Sequence, residues 1–190
     1  MSSRATLTPA VRPRFASGSL ALDFIHGGVG GAWQAAELLQ TREDLQAWIS
    51  FVLDRDVIAR EKDLEPARAL REAIWRISRR HLAHRSYRPR DVEVVNGIAA
   101  GPLPVARLEV TGEWVAEPVS ARQAFSAIAT DAVRCFSEPQ RVRVRECAAP
   151  DCHLLFFDAS RPGRRQWCSM ARCGNVTKTR AYRSRAAEPS

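Results

Sequence analysis

No stretch of this chain approaches the roughly 18 consecutive apolar residues that a membrane-spanning helix needs. Residues 1–19 carry Arg4, Arg12 and Arg14 but no apolar core of signal-peptide length, so a reducing, cytoplasmic setting is expected. No internal repeat is visible. The run Gly27-Gly28-Val29-Gly30-Gly31 lacks the strand–GxGxxG–helix context, or a Lys-Ser/Thr ending, that would cradle phosphate, and reads as a loop. The four histidines, His26, His81, His84 and His153, show neither metal-ligand nor triad spacing, and Asp23 and Glu37 form no recognisable acid/base pair. Nothing here supports catalysis, and the chain is expected not to be an enzyme.

What the chain does have is four cysteines near its C-terminus: Cys147-x4-Cys152, fifteen residues, then Cys168-x4-Cys173. Paired thiolates on two short loops, brought together by the stretch between them, suit a tetrahedral metal site. Zinc is the natural occupant, one per chain, because soft thiolates and tetrahedral geometry favour it. With four protein ligands the site is closed, which points to structure and recognition. Disulfides or free thiols are the alternative; disulfides need an oxidising compartment. The odd cysteine, Cys135, sits beside Val133 and Phe136 in a helical pattern and reads as a small buried hydrophobe.

The net charge of +8 is unevenly spread. Residues 141–190 hold eleven Arg/Lys against four Asp/Glu, whereas the first 140 residues hold 18 against 17. The excess therefore lies on the cysteine-bearing part, as in a nucleic-acid-facing appendage. All basic residues except Lys62 and Lys178 are arginine. Arg164, Arg165 and Arg172 are the first candidates to neutralise the −2 charge of a four-thiolate zinc centre instead of facing a ligand.

Along the chain, residues 1–17 read as a flexible N-terminus, 18–140 as a helical domain with one β-hairpin, and 141–190 as a zinc-bound module with a basic tail. Ser19–Ile25 is a short apolar segment of uncertain type. Thr41 with Asp44 resembles a capping box opening a helix with Leu45, Trp48, Ile49 and Val52. A second helix starts near Asp63, accepts Pro66 in its first turn and runs to about Leu82, with Arg68, Arg71, Glu72, Arg76, Arg79 and Arg80 assigned to its polar faces. Pro89 and Asp91 open a shorter helix ending near Ile98 or Ala99. Thr111-Gly112-Glu113 turns a hairpin, and Ser120 caps a helix that ends before Ser137-Glu138-Pro139-Gln140. Two short strands then bracket the first cysteine pair, and Asn175 to Arg185 is suited to a terminal helix. The fold class expected is mainly α with a small β-hairpin (α+β).

The residues Cys147-Ala-Ala-Pro-Asp-Cys152, Phe156-Phe157-Asp158-Ala-Ser160-Arg161, Arg164-Arg165-Gln-Trp167-Cys168-Ser169-Met170 and Cys173-Gly174-Asn175 resemble the CGNR zinc finger. Upstream, Leu20-Ala-Leu22-Asp23-Phe24-Ile25-His26, followed by Leu45-x-x-Trp48, resembles the ABATE domain that usually precedes it. The resemblance covers about residues 15–185 and implies a stress-induced bacterial transcription regulator, whose finger binds DNA and whose N-terminal domain senses a ligand or partner. Two positions depart from the pattern: Val176 replaces the motif's last arginine, and His26 stands where asparagine is usual.

The leading expectation is therefore a zinc-dependent binder of double-stranded DNA. Cys147, Cys152, Cys168 and Cys173 would hold zinc, and Arg161, Arg164, Arg165, Lys178, Arg180, Arg183 and Arg185 would offer phosphate and base-edge contacts. His26, Trp33, Trp48 and Trp75 are candidate lining for a small-molecule pocket, against ordinary core packing for each tryptophan. The alternative is a protein-interaction or ligand-sensing module whose zinc is purely structural. Readers of palindromic sites are usually dimers, but no dimerisation element is legible.

Overall fold

The computed structural model describes residues 17–26, 39–150 and 152–179. Its helices are α1 (Leu20–Ile25), α2 (Arg42–Leu53), α3 (Leu64–Leu82), α4 (Pro89–Ala99) and α5 (Ala121–Phe136). Its strands are β1 (Val57–Ile58), β2 (Ala106–Leu108), β3 (Trp114–Ala116), β4 (Val119–Ser120), β5 (Val144–Glu146) and β6 (Leu155–Phe157). The class is the expected one: mainly helical, with short strands and a four-cysteine unit at the C-terminal end.

Local chemistry sets the helix starts. Thr41 and Asp44 exchange side-chain and backbone hydrogen bonds at 3.0 and 3.1 Å, closing the capping box that opens α2. Ser120 and Gln123 do the same for α5. Pro89 occupies the first turn of α4, where a missing N–H costs nothing. The segment of uncertain type is α1, capped by Ser19. Its cap is tied to α5: Asp131 Oδ2 accepts from Ser19 Oγ at 2.5 Å and from the Ala21 amide at 3.0 Å.

Helix α5 is the spine, packed against α4, α3 and α1, while α1 also meets α2 and α3. The shared core holds Phe24, Ile25, Trp48, Leu70, Ile74, Ile128 and Ala129. Cys135 is buried in it, as its helical setting implies, and burial pushes its thiol up to about 11.

One assignment is corrected. Arg71 does not lie on a polar face of α3 but is 1% exposed, because it shares the stripe of Ala67, Leu70, Ile74, Ile77 and Ser78. Asp91 of α4 is also buried and receives Arg76 Nε at 2.8 Å.

The β2–β3 hairpin turns at Gly112 (φ 84°), a left-handed conformation that glycine adopts without cost, with Leu108 opposite Trp114. Strands β1 and β4 form a two-residue parallel pair that sequence pattern did not anticipate. Val57 and Val119 enter the core from it.

The antiparallel β5–β6 hairpin matters most for the site. Val144 faces Phe157, Arg145 faces Phe156 and Glu146 faces Leu155. Because strand side chains alternate, the hairpin has two apolar faces. Val144 and Leu155 join the main helical core, while Leu154 and Phe156 join a second cluster made with the four cysteines. The chain before α1 reaches the same hairpin: Ser17 O accepts the Phe157 N–H at 2.8 Å, and Gly18 turns away at φ 85°, where an added Cβ would stand 3.2 Å from Phe157 O.

Candidate metal centre

Cys147 follows β5, and Cys152 precedes the strand that returns, so the hairpin fixes the first pair of thiols. The Cys147 amide donates to Leu154 O at 2.9 Å, and the Cys152 amide to Ala149 O at 3.0 Å. The second pair lies around a five-residue π-helical turn, Met170–Gly174, in which the Cys173 and Gly174 amides both donate to Ser169 O at 3.0 Å. The two loops are tied by the Ala148 N–H to Gln166 O at 2.9 Å.

The four sulfurs lie within 4.8 Å of one another, and all four residues are buried. Cys168 Sγ is 3.8 Å from Cys152 Sγ and 3.6 Å from Cys173 Sγ. Sulfurs placed about 2.3 Å from a tetrahedral zinc stand about 3.8 Å apart, so the spacing fits that ion. It excludes disulfides, whose sulfurs approach to about 2.05 Å. The donor set points the same way. Burial, with hydrogen bonding and charge from neighbouring thiols, pushes Cys152 up to about 11 and Cys168 higher. For Cys147 burial acts upward too, but the amides of Cys168 and Ala149 outweigh it and bring the thiol down. Four thiolates this close need a cation among them. The centre is a structural zinc site for one ion.

A buried carboxylate organises the loop joining the two pairs. Asp158 accepts from Ser160 N (3.0 Å), Ser160 Oγ (2.6 Å) and the Arg165 amide (2.9 Å), with Arg145 Nε 3.8 Å away. Burial works against its charge, but these donors prevail and hold it below the usual carboxylate range. Arg143 Nη1 donates to Asp158 O at 2.9 Å and Ser160 O at 2.8 Å, and Arg145 Nη2 to Gly163 O at 2.6 Å. Sequence reasoning missed both arginines as braces; their alternation with Val142 and Val144 was the available signal.

The proposed contact residues separate into groups. Arg165 turns back on the centre: its guanidinium donates to the carbonyls of Trp167 and Cys168 and lies 4.8 Å from the Phe156 ring centroid. Arg161 and Arg164 are exposed on either side of the Pro162-Gly163 turn. Lys178 Nζ lies 5.5 Å over the Trp167 ring, in the helical stretch 175–179, and Val176 is exposed beside it. Gly174 packs so closely that an added Cβ would meet Met170 Sδ at 2.6 Å and Trp167 at 3.3 Å. Arg180, Arg183 and Arg185 lie outside the described residues, as does Trp33.

His26, Trp48 and Trp75 have framework positions. His26 is buried, with Nε2 3.0 Å from both N and O of Leu155, and burial brings its pKa down to about 4. Trp48 is buried in the core and donates its indole N–H to Phe24 O at 3.3 Å. Trp75 is half-buried beneath the Arg79 guanidinium, 5.7 Å away. A cleft of about 810 Å³ opens elsewhere, between the C-terminal end of α3 and the β5 side of the metal centre, and none of these three lines it.

The family profile of the CGNR zinc finger matches residues 143–186. That of ABATE, described as "putative stress-induced transcription regulator", matches residues 18–139. No curated protein matches the chain.

Proposed function

The chain belongs to the ABATE family and carries a CGNR zinc finger, and from that membership we propose that it is a regulator that binds double-stranded DNA through the finger. The observation that carries this reading is the exposed Arg161–Arg164 turn on a loop rigidly held by Asp158, Arg143 and Arg145. Guanidinium groups on a preorganised loop suit phosphate and guanine edges. Lys178 extends the same basic region, and Arg180, Arg183 and Arg185 follow it in sequence. Arg165 is already committed to the zinc loops, so its part is to brace them. A closed four-thiolate site leaves no position for a catalytic water, in keeping with a regulatory protein and not an enzyme. Reduced thiolates also suit a cytoplasmic setting.

Duplex binding by the zinc-loaded chain, followed by fluorescence anisotropy across a salt series, tests the reading. With about four phosphate contacts, log affinity should fall against log salt with a slope near −3.6. A slope near zero, or undiminished binding by Arg161→Ala/Arg164→Ala, contradicts it.

A second reading has a specific observation behind it. Val144 and Leu155 of the finger's hairpin are part of the helical core, so zinc also serves to complete the fold. In that reading the finger is a purely structural support for an N-terminal domain that engages a protein or small molecule.

A further inference from the structure

The cleft beside the finger concentrates basic side chains, some of which also brace the zinc loops. Four arginines, Arg85, Arg141, Arg145 and Arg165, and two histidines, His81 and His84, line it. Among the described residues the acidic group lining it is Glu146, which lies 3.4 Å from both Arg79 Nη1 and His153 Nδ1. Leu82, Tyr87, Val142 and Val144 supply an apolar wall. Several of the cations are fixed in place: Arg141 by Glu138, Arg145 by Asp158, and Arg165 by two carbonyls of the zinc loop. Tyr87 is fixed as well, its hydroxyl donating to Phe136 O at 3.2 Å.

We propose that this cleft binds a small organic dianion, a phosphomonoester or a dicarboxylate, held between the end of α3 and the zinc finger. A volume of about 810 Å³ is that of a metabolite site. Preorganised cations at a partly enclosed surface strengthen attraction for a doubly charged head, while the apolar wall accepts an organic body. The pKa of His81 is lowered chiefly by burial, with smaller contributions from the charges of Arg141 and His84, against a hydrogen bond to Val144 and the charge of Glu138. The negative end of the α3 dipole opposes an anion, but the basic groups in its last turn, Arg79, Arg80 and His81, offset it.

The position gives such a ligand a role. Ala148 and Gln166, which line the floor, join the two cysteine loops through their own hydrogen bond, and Arg165 reaches from the floor to Cys168 O. An occupant therefore touches the helical part and the zinc loops together. The proposal rests on the regulator reading for that role, though not for the binding chemistry.

The test uses the full zinc-loaded chain with two probes, glycerol phosphate and succinate, and sodium chloride at matched ionic strength as the control. Calorimetry and thermal shift are read for the wild type, for Arg85→Ala/Arg141→Ala in the cleft, and for Arg161→Ala/Arg164→Ala on the exposed loop. The expected result is saturable binding of at least one probe at millimolar or lower concentration, weakened about tenfold or more by the cleft variant and unchanged by the loop variant. Equal affinity in the cleft variant, or a thermal shift that chloride reproduces, overturns the proposal. So does duplex DNA whose binding depends on the cleft pair and not on the loop pair, because the cleft then holds nucleic-acid phosphate. Probe binding at the cleft without any duplex binding upholds the site while removing the DNA reading.

Discussion

His26 Nε2 lies 3.0 Å from the amide nitrogen of Leu155, joining the end of α1 to the zinc-finger hairpin across 129 residues of sequence. The contact is buried on both sides, since Leu155 is fully enclosed in the main core. The finger is thus fastened to the helical part by a hydrogen bond and by apolar packing together.

Replacing His26 with Ala leaves the Leu155 amide without this partner and opens a small cavity. A buried donor stripped of its partner costs about 1–3 kcal/mol. We expect a lower melting temperature by calorimetry with secondary structure kept. An unchanged melting temperature would show that the contact contributes nothing.

His26 also sets a pH dependence. Its folded pKa of about 4 lies below the ordinary value near 6.5, so between these pH values the unfolded chain binds more protons. This contribution is complete above about pH 6.5 and is lost as pH falls toward 4, amounting to roughly 3 kcal/mol. Thiolate protonation also weakens zinc binding in acid, so the measured quantity is a difference between variants. The stability of His26→Gln should fall less steeply than wild type from pH 7 to 5; parallel curves would contradict the assignment.

Zinc removal should be felt beyond the finger. Val144 and Leu155 belong to the helical core while Leu154 and Phe156 belong to the cysteine cluster, so one hairpin serves both. Metal analysis should give one zinc per chain. Chelation, or Cys168→Ser, should lower the melting temperature of the whole chain. An unaltered main transition after complete metal loss would separate the two cores.

Asp158→Asn keeps size but removes the charge opposite Arg145 and presents an amide donor to the donors of Ser160 and Arg165. Loosening the loop that joins the two cysteine pairs should weaken zinc affinity. Competition with a chromogenic chelator measures it. Wild-type affinity in Asp158→Asn would mean that the loop holds its shape without the carboxylate.

The parts legible in sequence are those written in short-range chemistry. Thr41 with Asp44, Pro89, Ser120 and Gly112 mark their own turns and caps, and two Cys-x4-Cys pairs announce a tetrahedral site before any fold is known. What was not legible depends on distant pairing. The Val57–Val119 ladder joins strands of two residues, too short to show a period. The destination of His26 is an amide with no side-chain signature. Arg71 has the charge of a surface residue and the position of a core residue, and position prevails. The arginine-rich stretch shows only charge in sequence. The fold divides it into braces (Arg143, Arg145 and Arg165) and exposed groups (Arg161 and Arg164).

That division yields a specific expectation for DNA. Arg161→Ala/Arg164→Ala should weaken duplex binding similarly across sequences if both touch phosphate, and reduce the salt slope by about 2. Arg143→Ala should instead lower zinc affinity or thermal stability. Loss of DNA affinity in Arg143→Ala with zinc and stability intact would reverse the division.

The central claim, sequence recognition by a zinc-ordered finger, is tested most directly by selecting duplexes from a random DNA pool with zinc-loaded protein at near-physiological salt, beside Cys168→Ser. The account predicts a motif enriched by the zinc-loaded chain and absent with the variant. No enrichment, with residual binding that disappears at modest salt, would contradict it and leave the finger as a structural support.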